Sequence, residues 1–273
     1  MQYGRLVGRR AIISGGANGL GAATAVLFAA EGASVALADL ESARGHADEV
    51  IARIAALGGR ALFVPTNVLD AESVATAVDS AVELLGGVDT VVASAGVGGH
   101  PDNPLRHNEL LRIDPAHFDF VLNVNLRGVF LVAQRAAQHM VDNAQKGAIV
   151  ALASMASKRP TAGAYSVSKA AVWMLTRCMA QELGAHGIRV NAIGPGYVET
   201  ELFDSIVRAG SGADPAAQAA FRETRRSQIV LGEFPTADDV AQTALFLCSD
   251  ADRSFTGSIL HPDGGYTSTF GGG

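Results

Sequence analysis

Short apolar runs alternate with longer amphipathic stretches along almost the whole chain. The runs at 11–13, 34–39, 60–64, 89–93, 147–154, 188–193 and 258–261 are rich in Val, Ile, Leu and Ala, the pattern of strands buried on both faces. Helical periodicity occupies 22–30, 42–57, 71–85, a long stretch from Asp114-Pro115 to about Asn143, and another through Tyr165 and Lys169 to about His186. Asp114-Pro115 supplies a cap and a first-turn proline, and Thr236-x-x-Asp239 is a capping box that opens a last helix. Strands alternating with helices predict right-handed crossovers and hence an α/β fold. The expectation is one domain, 1–273, on a doubly wound parallel sheet with helices on both faces. Its ligand crevice would lie outside the carboxyl ends of the strands.

Three stretches break the alternation. Val97 to Ile113 holds Gly98, Gly99, Pro101 and Pro104 and reads as a loop. Asn123, Asn125 and Gly128 are poor helix formers in an otherwise Val/Leu/Phe/Ala-rich helix. A buried asparagine needs a partner: either a local break turns Asn125 toward the crevice, or it is a satisfied core amide. Residues 201–233 carry two helical pieces interrupted at 209–215, a long excursion after a strand end that suits a substrate lid or, alternatively, surface elaboration.

With 48% hydrophobic residues, 273 positions bury a sizeable core. A formal net charge of −6 without runs of like charge points away from nucleic acid and anionic membranes, toward a small-molecule partner. The first ten residues hold no apolar signal core and no apolar run approaches about 18 residues, so a cytoplasmic location with no membrane span is expected. Cys178 and Cys248 read as reduced, packed thiols, and the seven histidines lack ligand spacing, so no metal is expected.

The candidate chemistry falls at the predicted strand ends. The first strand runs into Ser14-Gly15-Gly16-Ala17-Asn18-Gly19-Leu20-Gly21 and then a helix, the arrangement that presents backbone N–H groups to a pyrophosphate. Asp39 ends the second strand, where a carboxylate accepts from both ribose hydroxyls and repels a 2′-phosphate. NAD is therefore favoured over NADP, with Arg44 the residue that would overturn this. Asn67, Val68, Ala95 and Gly96 lie just past the next strand ends, Ser154 closes the run at 147–154, and Pro195, Gly196, Val198 and Thr200 follow the strand at 188–193.

Tyr165 and Lys169, four apart on a helix, share a face. A tyrosine acting as general acid/base near pH 7 needs its pKa lowered from about 10, roughly 4 kcal/mol. One cation about 4 Å away at an effective dielectric near 20 supplies up to roughly 4 kcal/mol. Burial opposes the shift, so a second positive charge is expected, and an oxidised nicotinamide is the natural candidate.

From about residue 6 to 266 the chain resembles the short-chain dehydrogenase/reductase family. The residues that carry the likeness are Gly15-x-x-x-Gly19-x-Gly21, Asp39, Ala95-Gly96, Asn125, Ser154, Tyr165-x-x-x-Lys169, Pro195-Gly196 and Asp263-Gly264-Gly265. The resemblance implies an NAD-linked oxidoreductase acting on a small to medium, largely uncharged secondary alcohol or ketone, with Asn125, Ser154, Tyr165 and Lys169 as catalytic tetrad. It implies a proton exchanged by Tyr165, an oxygen steadied by Ser154, and a Lys169 that holds the nicotinamide ribose and lowers the Tyr165 pKa. Asn125 would hold a water leading from Lys169 to solvent. The cofactor would lie along Gly15, Asn18, Gly19, Leu20, Gly21, Asp39, Leu40, Asn67, Val68, Ala95, Gly96, Tyr165, Lys169, Pro195, Gly196, Val198 and Thr200. Ser14, Asn67 and Ala93-Ser94 depart from the usual threonine, aspartate and asparagine pair. Val97, His100, Met155, Tyr197 and the 201–233 segment are expected to line a pocket that suits a hydrophobic or cyclic ketone better than a phosphorylated sugar. The family habit of packing through long helices implies a homotetramer. A non-catalytic nucleotide sensor and a sugar-nucleotide epimerase or dehydratase are the competing readings.

Overall fold

The computed structural model describes residues 4–99, 110–251 and 253–268. Among them a seven-stranded sheet has the order β3-β2-β1-β4-β5-β6-β7, every neighbouring pair parallel. The strands are β1 (Arg10–Ser14), β2 (Ser34–Asp39), β3 (Arg60–Pro65), β4 (Thr90–Ala93), β5 (Gly147–Leu152), β6 (Ile188–Ile193) and β7 (Ile259–Leu260). The helices are α1 (Gly19–Ala30), α2 (Arg44–Ala56), α3 (Ala71–Leu85), α4 (Pro115–Leu122), α5 (Gly128–Asp142), α6 (Gly163–Leu183), α7 (Glu201–Ser211), α8 (Pro215–Arg226) and α9 (Ala237–Cys248). This is the doubly wound, Rossmann-type fold that the alternation predicts.

The period-2 geometry of each strand divides its apolar residues between two cores. Ile13, Leu37, Val92 and Val150 face α1, α2 and α9, joining Phe28, Ile54 and Leu245. Their neighbours Ile12, Ala36, Val91 and Ile149 face α3, α5 and α6, joining Val78, Met140 and Leu183. Each fully buried Ile, Leu or Phe contributes about 1.5–3 kcal/mol, which explains why unbroken apolar runs, and not alternating ones, build this sheet.

Two predicted elements change at their edges. The strand at 147–154 stops at Leu152, because the Ser154 side chain accepts from the Ala156 N–H at 3.1 Å and caps a tight turn, Met155–Ser157. The long helix after Asp114 is broken by a π-turn, Asn123–Arg127, between α4 and α5. The whole rod Pro115–Asp142 is long and apolar enough to cross a membrane by length and composition, a test that a packed core helix passes as well. Its apolar face, with Val132, Ala136 and Met140, is packed against α3 and the sheet. Cys248 is buried as expected, whereas Cys178 is exposed.

Strand order reverses between β1 and β4, so the crevice opens beyond Ser14 and Ala93. The carboxyl ends of the central strands are level: Ser14 pairs with Ala93, Ala93 with Ala151, and Leu152 with Ile193. Residues that follow different strands therefore meet on one edge.

Candidate active site

The first side of the crevice is the turn from β1 into α1. Gly15 has φ +67°, and a Cβ on Gly21 would sit 2.0 Å from the Gly15 carbonyl oxygen, so both positions require glycine for the helix to start this close to the strand. Asn18 caps α1 without a side-chain hydrogen bond, leaving first-turn N–H groups open to an anion. A Cβ on Gly19 would meet only Thr200 Cγ2, at 3.9 Å, so the space above the helix end is clear. Open N–H groups and clear space fit a dinucleotide pyrophosphate.

Asp39 lies beside this turn, held by its own acceptor bonds from the Ala17 N–H at 3.0 Å and the Leu40 N–H at 2.9 Å. Leu40 is exposed next to it. Arg44 points elsewhere: it pairs with Glu41 at 2.5 and 2.9 Å and stacks on Phe63 at 4.7 Å. Asn67 closes a turn by accepting from the Leu69 N–H, and Val68 packs against the side of Gly128. The Ser14 hydroxyl accepts from the Ala95 N–H at 3.4 Å, tying β1 to the loop after β4. Gly96 lies between Asn125 Oδ1 and Lys169 Nζ. On the far side, Met155 N–H donates to the Pro195 carbonyl, Gly196 packs on Asp263, Val198 is buried, and Thr200 caps α7.

The π-turn brings Asn125 into this edge. Its Oδ1 accepts from the Val97 N–H at 2.8 Å, and its Nδ2 donates to the Val97 carbonyl at 2.9 Å and to Ser168 Oγ at 3.1 Å. The fully buried amide thus clamps the loop after β4 onto α6, and both of its donors are engaged. Ser168 in turn donates to the Tyr165 carbonyl at 2.7 Å. Ser166 Oγ accepts from the Thr161 and Ala162 N–H groups, both at 3.0 Å, and fixes the entry to α6. Ser166 and Ser168 escaped the sequence reading because helical serines bonding nearby backbone are ordinary.

Ser154 hydrogen-bonds the Tyr165 phenol, which favours the phenolate, but burial outweighs it and raises the Tyr165 pKa. Lys169 is buried, donates to the Leu152 carbonyl at 2.8 Å, and stands 5.7 Å from the centre of the Tyr165 ring. Burial lowers its pKa to about 8. The protein alone therefore does not lower the tyrosine pKa in the way the spacing of the pair predicts. The ammonium is turned to a strand carbonyl, and desolvation outweighs the Ser154 hydrogen bond at the phenol.

These groups open into a cavity of about 930 Å³. Ser154, Tyr165 and Lys169 line it together with Leu20, Gly96, Val97, Met155, Tyr197 and Thr200. His100 lies outside the described residues. The far wall comes from the excursion after β6: Phe203 and Val207 of α7 pack with Met155, Tyr197, Ile229 and Tyr266 in a separate apolar cluster. Arg225 of α8 also reaches the cavity, a contribution that its position in a polar helix did not reveal.

Fold and site together place the protein among the oxidoreductases that bind a nicotinamide dinucleotide at a sheet switch point. A family model described as enoyl-(acyl carrier protein) reductase matches residues 15–267. The chain is 40% identical over 261 residues to cis-4-hydroxycyclohexanecarboxylate dehydrogenase of Sinomonas cyclohexanicum, covering 95% of this chain and 96% of that protein. It is 37% identical over 270 residues to (+)-borneol dehydrogenase 2 of Salvia officinalis, covering 97% and 91%. A solved dehydrogenase structure from Agrobacterium tumefaciens with bound NADP superposes with a TM-score of 0.82 at 31% identity, covering 97% and 98%. The chain belongs to the short-chain dehydrogenase/reductase family.

Proposed function

We propose that the protein moves a hydride between NAD(H) and a cyclic, largely apolar secondary alcohol or ketone, with Tyr165 as general acid/base. One observation carries this reading: the hydrogen-bonded Ser154 and Tyr165 hydroxyls face a mostly apolar cavity beside the dinucleotide turn. A carbonyl oxygen placed between them receives a hydrogen bond from Ser154 and the proton of Tyr165, whose burial keeps it protonated at neutral pH. Lys169 lies one helical turn behind, where it can hold a ribose hydroxyl and keep positive charge near the phenol. Asn125 keeps Val97 and Ser168 in place around them. When bound, the cofactor supplies the hydride and, oxidised, a positive charge on its nicotinamide ring.

Asp39 with both oxygens fixed, and Arg44 engaged by Glu41 and Phe63, support NAD over NADP, although a relative binds NADP. The ring alcohol in the name of the cyclohexanecarboxylate relative supports a cyclic substrate. The test follows NADH absorbance across a panel of cyclic alcohols and ketones with NAD and NADP, for the wild type and Tyr165→Phe. The expected result is NAD-linked turnover that falls by roughly 10²–10⁴ in the variant. Full activity of Tyr165→Phe would falsify the mechanism, and equal use of NADP would remove the cofactor assignment.

A further inference from the structure

We infer that Arg225 is a specificity-determining residue that binds a carboxylate carried by the substrate, from the α8 side of the cavity. The inference rests on the proposed alcohol/ketone chemistry and names the substrate class more closely: a cyclic secondary alcohol with one carboxylate on its body.

The arginines of α7 and α8 separate by where their charge is spent. Arg222 pairs with Asp204 at 2.5 Å and Glu199 at 3.8 Å, Arg226 with Glu223 at 3.0 Å, and Arg208 with Glu201. Arg225 has no ion-pair partner among the described residues. Its guanidinium is instead stacked on Phe221 at 4.8 Å and Tyr197 at 5.6 Å, against the cavity wall. Its Nε is buried and donates to nothing. A buried donor left unmade costs about 1–3 kcal/mol, and ring stacking does not satisfy it. A carboxylate in the cavity would therefore accept from the two terminal nitrogens, the end-on two-pronged geometry a guanidinium also offers, with the buried Nε behind it. The stacked rings hold the fork in place, so little side-chain freedom remains to be lost on binding.

The rest of the lining selects a monoanion. Among the described residues the cavity wall carries no Asp or Glu, and its only cations are Arg225 and Lys169. Lys169 is spent on the Leu152 carbonyl and belongs to the reacting groups. One guanidinium matches one carboxylate, whereas a phosphate dianion would call for more donors than Arg225 supplies. The apolar lining includes Met155, Phe203, Ile206 and Phe221, which suits a hydrocarbon ring.

The experiment compares a 4-hydroxycyclohexane ring bearing a carboxylate with the same ring bearing the isosteric carboxamide, using NAD and the full chain. Wild type, Arg225→Gln and Arg225→Lys are measured. In parallel, binding of cyclohexanecarboxylate and cyclohexanecarboxamide to the NADH complex of each protein is titrated. The carboxylate is expected to bind at least tenfold more tightly than the amide in the wild type. Arg225→Gln should weaken the carboxylate by roughly 10- to 100-fold, mostly in KM, and leave the amide within about twofold, the pattern of one lost charge-assisted bond. Arg225→Lys should restore part of the loss. Equal losses for both ligands, as expected if Arg225 only props α8 against Tyr197, overturn the inference, as does the absence of any carboxylate preference in the wild type. Arg225-dependent carboxylate binding without turnover would sustain the site while removing the alcohol/ketone reading.

Discussion

At the residue scale, the centre of the site is a pair whose electrostatics run opposite to simple spacing. Lys169 and Tyr165 share a helix face, yet burial raises the tyrosine pKa and lowers that of the lysine to about 8. This has a consequence for stability. Unfolded, Lys169 titrates near 10.5; folded, near 8, so between these pH values the unfolded chain holds more protons and folding stability must rise with pH. Below pH 8 both states are protonated and the contribution is flat, at its least favourable. In the cofactor-free protein, urea unfolding at pH 7, 8.5 and 10 should show the wild type gaining on Lys169→Met by up to roughly 3 kcal/mol across this window. Parallel pH curves would show that the ammonium is better solvated than its position indicates. The identities of Tyr165, Lys169, Ser154 and Asp39 were legible in the chain because spacing and strand ends mark them. The state of the phenol was not, since desolvation depends on what packs over it.

At the scale of elements, the π-turn at Asn123–Arg127 decides where Asn125 goes. A regular helix would leave this amide among apolar neighbours, whereas the extra residue in the turn delivers it to Val97 and Ser168. Asn125→Ala leaves the Val97 N–H and carbonyl without their side-chain partner. The expected cost is about 1–3 kcal/mol in unfolding free energy, together with weaker NADH binding because Gly96 and Val97 lose their anchor. A variant as stable as the wild type would make the clamp dispensable and leave Asn125 to some other role. The sequence offered two readings of this asparagine, and helix-breaking composition alone could not choose between them. The choice needed the backbone of the loop after β4, brought alongside by the parallel pairing of β4 with β1 and β5. The capping of the turn after β5 by Ser154 is similar: the serine was visible, its withdrawal from the strand was not.

At the scale of the whole molecule, long helices and exposed apolar residues on them, such as Phe130, Val167 and Met174, support the proposal of a homotetramer. Light scattering should return a mass four times the 28.1 kDa of one chain; a value of twice that mass would make the dimer the working unit. The alternation of apolar runs with amphipathic helices was enough to specify the doubly wound sheet, because only a sheet covered on both faces buries unbroken runs such as Val91-Val92-Ala93. The glycine turn, Asp39 and the tyrosine-lysine pair were also local, since each depends on residues a few positions apart. The tertiary structure alone decided what depends on residues far apart in the chain. It turned Lys169 to a strand carbonyl, clamped Asn125 onto a loop, and folded α7 and α8 over the crevice so that Arg225 lines the cavity. Chain order carries local geometry and periodicity, but the partner of a buried charge or amide is set by which elements the sheet brings together.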